Sequence, residues 1–236
     1  NTNTAQVATI AGGDHNTASN LGSSIGGGFY NTTAGYAATV AGGERNTASG
    51  AHAAIPGGIS NVASGTGSLA AGVRAKATND YSFVWGGSPD VDTTSTTNGQ
   101  FVVRSPGGAK FLTSTNDSFG VQLSANGAGW SSISDSNAKT AVSVIDHRQT
   151  LAKLASLPVT EWRYKHDPSR RYIGPMAQDF HAAFALGSDN KTISTLDTDG
   201  VALSAIKGLL EELRVQDEKL EARETQIQAL EQQVEL

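Results

Sequence analysis

The chain contains no cysteine, which excludes disulfides and Cys-ligated zinc and leaves the redox compartment open, because oxidising and reducing environments both accept such a sequence. Aromatics are only 6% and hydrophobic residues 38%. With 17 of the 27 glycines in the first 87 positions, the amino-terminal third lacks material for a conventional core and must bury small side chains against copies of itself. Bases are scarce too: 17 Lys and Arg against 22 Asp and Glu give a net charge of -5, so no basic face for a phosphate backbone is expected and nucleic acid is not an expected partner. No apolar run reaches the roughly 20 residues a membrane helix needs. The five histidines show no H-x-x-x-H pairing, so no metal site is expected. No Gly-rich loop leads into Lys-Ser or Lys-Thr, so neither a nucleotide nor any other cofactor is expected.

What the chain does have is a register. Asn16, Asn31, Asn46 and Asn61 recur every 15 residues, each preceded at one distance by a glycine pair, Gly12-Gly13, Gly27-Gly28, Gly42-Gly43 and Gly57-Gly58. A strict short period of this kind marks a solenoid, in which equivalent residues stack into ladders along an axis. Ile10, Ile25, Val40 and Ile55 supply one β-branched residue per unit and form the expected interior ladder. The glycines and asparagines read as turn residues tolerant of positive φ. A degenerate fifth unit, Leu69-Ala70-Ala71-Gly72, is expected to close the stack. Five coils at ~4.8 Å each extend only about 24 Å, a roll too slender to stand without lateral support. The opening Asn1-Thr2-Asn3-Thr4 reads as part of a longer repeat array.

The N-T-A-S-G plus G-G pattern over residues 5–87 resembles the head repeats of trimeric autotransporter adhesins and the collars of phage tail fibres. That resemblance implies a left-handed parallel β-roll in a homotrimer, displayed outside the cell on a bacterial surface or a virion fibre, with a surface glycan or envelope component as ligand. Phe29, Tyr30 and Tyr36 are the candidates for sugar stacking, although they equally suit packing between chains. Glycoside hydrolysis needs two carboxyl groups about 5–9.5 Å apart. Asp14 and Glu44 stand isolated two coils apart, so turnover of a sugar is not expected.

Residues 81–133 change character. Short apolar runs at 81–85, 100–104, 109–112 and 120–123, separated by Gly, Pro, Asn and Asp, read as a β connector. The loop Ser88-Pro89-Asp90-Val91-Asp92 reads as solvated, since two acids are too few for calcium. From Ser134 the composition becomes ordinary and predicts a small α+β domain over 134–204: a helix from Asp146 to Leu157 stopped by Pro158, a strand from Val159 to Lys165, its partner from Tyr172 to Met176, and a helix from Ala177 to Leu186.

The last segment, 205–236, is a heptad array. Ile206, Leu213, Leu220, Ile227 and Val234 fall at a, with Leu209, Gln216, Arg223 and Leu230 at d. Polar Gln216 and Arg223 argue against a tight dimer and fit a wider trimeric seam. Mainly β with a C-terminal α segment is therefore the expected class, with β-roll repeats over 1–80, the connector, the small domain and a trimeric coiled coil.

Between connector and small domain lies Ser134-Asp135-Ser136-Asn137-Ala138-Lys139. With Tyr172-Ile173-Gly174-Pro175-Met176-Ala177-Gln178-Asp179-Phe180 and the terminal heptads, it resembles the carboxy-terminal intramolecular chaperone of phage tailspikes, the endosialidase type. The resemblance implies trimerisation and register-finding for the β part and, in many members, self-cleavage just before the Ser of an S-D-x-x-x-K pattern. Carried over, Ser134 is the nucleophile, Lys139 the base and Ile133-Ser134 the scissile bond. Asn137 stands where many members have Arg, and Ala138 is a weak apolar residue before Lys139. Two functions stay open: a distal fibre or adhesin part with an uncleaved trimerising cap, which is not an enzyme, or a Ser-Lys autoendopeptidase acting only on itself.

Overall fold

A computed structural model describes residues 1–116 and 118–234. The chain divides into two compact units, Asn1–Ile133 and a second from Ser134 onward. The first unit is mainly a β-solenoid. One parallel sheet stacks seven short strands, from Thr2–Asn3 through Thr17–Ala18, Thr32–Thr33, Thr47–Ala48, Val62–Ala63 and Ala75–Ala77 to Thr93–Thr94. A second parallel sheet runs from Thr9–Ile10 through Ser24–Ile25, Thr39–Val40, Ala54–Ile55, Leu69–Val73 and Phe83–Gly87 to Phe101–Arg104.

Alternation along each short strand sends one side chain inward and the next outward. Ile25, Val40, Ile55, Ala70 and Val84 form one interior ladder and Ala18, Thr33, Ala48, Ala63 and Ala77 another, each nearly fully buried. The space between two sheets this close admits only such small groups, which is why the repeats are rich in Ala, Ser and Thr.

The asparagines do not serve as turn residues. Asn16, Asn31, Asn46 and Asn61 are completely buried. Positive φ belongs instead to the residue before each of them, at His15, Tyr30, Arg45 and Ser60, and to Gly13, Gly28, Gly43 and Gly58. The asparagine amide is a connector between circuits. Asn46 N–H donates to Asn31 Oδ1 (3.0 Å), Asn61 N–H donates to Asn46 Oδ1 (3.0 Å), and Asn46 Nδ2 donates to the carbonyls of Gly42 (3.1 Å) and Gly58 (2.9 Å). This explains the glycine at 43: at φ 95° a Cβ there would run into the Gly58 carbonyl oxygen and crowd the Asn46 amide.

The stack does not close at Leu69–Gly72. Phe83–Gly87 and Phe101–Arg104, expected as connector strands, continue the second sheet, with Ala70 opposite Val84 and Val84 opposite Val102. The sequence period is lost because the outward residues become bulky, at Phe83, Trp85 and Phe101, while the inward row stays small and β-branched. The circuit from Ala75 to its partner Thr93 is also lengthened by the Ser88–Asp92 loop. A separate three-stranded antiparallel sheet follows, made of Gly108–Leu112, Gly120–Ser124 and Ser131–Ser132.

In the second unit, helix α1 (His147–Ser156) starts where the Asp146 side chain accepts from Gln149 N–H at 2.9 Å, and it ends before Pro158. A hairpin of Thr160–Tyr164 and Asp167–Gly174 precedes helix α2 (Ala177–Phe184). Helix α3 (Thr195–Val234) begins ahead of the expected start at 205, because its first turns are held by α1 rather than by heptads. Val201, Ser204, Ala205 and Gly208 are buried there. His147 Nδ1 lies 3.0 Å from Ser204 Oγ, and a Cβ at Gly208 would strike the His147 carbonyl. Leu157, Phe180 and Val201 form the small core of this unit.

The ladder makes a quantitative prediction. Asn46→Ala leaves the Asn61 N–H and the Gly42 and Gly58 carbonyls without these partners, and should lower unfolding free energy by roughly 2–4 kcal/mol. Urea denaturation should show the lower midpoint with an unchanged slope.

Candidate functional site

The bond between Ile133 and Ser134 joins the two compact units. On one side, Ile133 N–H donates to the Gly120 carbonyl at 3.1 Å, tying this residue to the three-stranded sheet. On the other, Ser136–Ala138 forms a single 3-10 turn. Asp135 caps it: its carboxylate accepts from the Asn137 backbone N–H (2.9 Å) and from Asn137 Nδ2 (3.0 Å). The turn closes through Ala138 N–H to the Asp135 carbonyl and Lys139 N–H to the Ser136 carbonyl, both at 3.1 Å.

That turn reverses the chain, so Lys139 Nζ lies 2.6 Å from Ser134 Oγ and donates to it. The five-residue spacing thus brings amine and hydroxyl together by local geometry alone. The Asp135–Asn137 clasp was not singled out by sequence reasoning, although an Asp followed two residues later by a small polar residue is a recognisable turn signal. Asn137 has a definite task here in holding the cap, through its backbone N–H and its side-chain amide.

A lysine accepts a proton from a serine only where burial disfavours its charged form. Ser134 and Lys139 are both exposed in the single chain. The contact therefore has the distance of a nucleophile–base pair but lacks the exclusion of water.

The aromatic candidates do not converge. Phe29 and Tyr30 occupy one corner of the solenoid, and Tyr36 lies in the opposite turn between the two sheets. Phe29 is 56% exposed and bridges Asp14 and Glu44 in a parallel column. Tyr30 stacks on His15, with ring centroids 4.8 Å apart, and the Arg45 guanidinium lies over its ring at 5.6 Å, so its surface is already engaged. Tyr36 meets His52 edge to face at 5.3 Å. At the Phe29 corner, the hydrogen bond from the His15 side chain holds the Asp14 carboxyl below its ordinary range. Among the described residues, no group of three or more His, Asp or Glu could hold a metal, and no helix is long and apolar enough to cross a membrane.

The expected heptad residues of α3 lie on an open face. Ile206, Leu209, Leu213, Leu220, Ile227 and Leu230 are each about half exposed or more, and Val234 is exposed at 85%. Gln216 and Arg223 share that face by their spacing. At 3.6 residues per turn it is rotated by about 100° from the face packed on α1.

Residues 134–186 match the family model described as chaperone of endosialidase. The match begins at Ser134, where the units divide, and takes in the Ser134–Lys139 turn, α1, the hairpin and α2. No curated protein matches the chain. In sequence, a solenoid of about seven turns is thus followed by the three-stranded sheet and then by the matched segment, an arrangement that fits a phage tail fibre.

With Lys139 in water, the freshly folded chain is expected to run as a single band on denaturing gels. Accumulation of pieces 1–133 and 134–236, abolished by both Ser134→Ala and Lys139→Met, would show that assembly supplies the missing burial.

Proposed function

We propose that this chain is part of a homotrimeric fibre of the phage-tail type, in which the solenoid forms the displayed shaft and the segment from Ser134 onward drives trimerisation and folding. The observation that carries the reading is the chaperone-family match at 134–186, set between a β-solenoid and a helix whose heptad residues stand open. Three α3 helices zipped along Ile206, Leu209, Leu213, Gln216, Leu220, Arg223, Ile227, Leu230 and Val234 bury that apolar stripe. The polar pair at Gln216 and Arg223 favours three strands over a tight two-stranded seam. Joining the copies at one end raises the effective concentration of the three shafts and shortens the search for interchain register.

The fibre acts at the outside of a virion or bacterium, and its ligand is a glycan or envelope component. Three identical shafts give avidity without strong single sites. Phe29, Tyr30 and Tyr36 are all about half exposed, and Phe29 is the favoured contact because the rings of Tyr30 and Tyr36 are engaged by His15, Arg45 and His52.

A second reading, self-cutting at Ile133-Ser134, rests on the Lys139–Ser134 contact. It ranks below the first because both side chains stand in water.

Sedimentation of the purified chain at micromolar concentration should give three times the monomer mass. Leu220→Asp, which is 56% exposed at the parent residue in one chain, should shift the protein to monomer without loss of α1–α3 helicity by circular dichroism. A monomeric wild type would end the fibre reading. On a glycan array the intact oligomer is expected to bind, and Phe29→Ala should weaken the signal at least about tenfold, a loss of ~1.4 kcal/mol per site or less once avidity is counted.

A further inference from the structure

Two pieces of the second unit are left incomplete in ways that match. The first is the segment Val142–Ile145. Its side chains Val142, Val144 and Ile145 are 85%, 96% and 58% exposed, a cluster of open apolar groups rather than a single scattered one. Among the described residues, Thr140–Ile145 makes no backbone hydrogen bond. Three of the four residues from Val142 to Ile145 are β-branched, the composition of a strand, yet among the described residues the segment has no strand partner. Ala141 precedes it at φ 54°, a left-handed bend that sets the segment off from the Ser134–Lys139 turn.

The second incomplete piece is the hairpin of Thr160–Tyr164 and Asp167–Gly174. Among the described residues it is a sheet of two strands, an arrangement at best marginally stable in water. Both outer edges present unpaired backbone groups. Its edges differ, because Pro168 interrupts the Asp167–Gly174 strand whereas Thr160–Tyr164 has no proline. Ile173, beside the edge residues, is 77% exposed.

We infer that Val142–Ile145 of one copy adds as a third strand to the Thr160–Tyr164 edge of a neighbouring copy. This rests on the three-copy reading above and specifies how the copies engage outside the heptad seam. Among the described residues of one chain, Thr160–Tyr164 pairs with Asp167–Gly174 alone and Val142–Ile145 with no strand. In the single chain the two pieces remain apart. Around a threefold axis each copy gives one strand and receives one, so the exchange closes on itself and leaves no copy unsatisfied. Main-chain hydrogen bonds supply the attraction and the alternate valines supply the fit, as in other strand additions.

Hydrogen exchange on the full-length wild-type oligomer tests this. The amides of Val142–Ile145 and of Thr160–Tyr164 should exchange at least about tenfold more slowly than unstructured amides. The absence of native cysteine allows a clean topological test. Val144→Cys combined with Glu161→Cys or with Arg163→Cys should give, on oxidation, covalent dimers and trimers on non-reducing gels. Freely exchanging Val142–Ile145 amides in a confirmed trimer, the absence of a covalent product, or a product confined to single chains would each overturn the strand exchange while leaving the fibre reading intact. A wild type that sediments as a monomer would overturn both.

Discussion

Each buried asparagine of the stack engages its whole side-chain amide. The oxygen accepts from the next asparagine's backbone, and the nitrogen donates both to a glycine carbonyl in its own circuit and to one in the circuit above. The chain Asn16, Asn31, Asn46, Asn61 ends on the Ala75 N–H at 2.9 Å. An unpaired buried amide would cost about 1–3 kcal/mol, so the ladder holds only where every rung keeps its place. Gly13, Gly28, Gly43 and Gly58 fit the same geometry, since a Cβ at any of them would strike the carbonyl oxygen of the glycine one circuit on and crowd the asparagine amide.

This dependence explains why the interior can be so poor in apolar bulk. Rows of Ala, Ser, Thr and a single Ile or Val bury little surface per rung, and at about 25 cal/mol per Å² such burial offsets only part of the backbone entropy. Hydrogen bonds running along the axis hold the circuits in register, and the small side chains fill the gap between sheets. The stability of such a stack grows by adding like neighbours, which makes the extension to Phe101–Arg104 physically natural once Val84 and Val102 preserve the inward row.

The second unit follows a different logic. Its core of Leu157, Phe180 and Val201 is small, whereas much of its apolar surface stands open: the α3 stripe, Val142, Val144 and Ile173. A unit with so little interior and so much outward apolar surface is suited to being finished by copies of itself. The Ser134–Lys139 turn sits at its entrance with the contact made and the water not excluded.

Much of this was legible in the residues. The 15-residue register determines a solenoid because identical environments must recur at identical intervals. The Asp146 and Pro158 boundaries determine α1 because capping and ring geometry are local. The Ser134–Lys139 contact is local too, being closed within one turn. Tertiary structure decided what locality does not carry. It made the asparagines connectors rather than turn residues, because their partners lie one circuit away in sequence. It carried the stack past Gly72, because the inward row persists where the outward pattern fails. It began α3 at Thr195, because α1 holds a face that no heptad marks. It separated Phe29 from Tyr36, because a solenoid places residues a few positions apart on opposite corners, and only the path of the backbone between two sheets determines which corner each one takes.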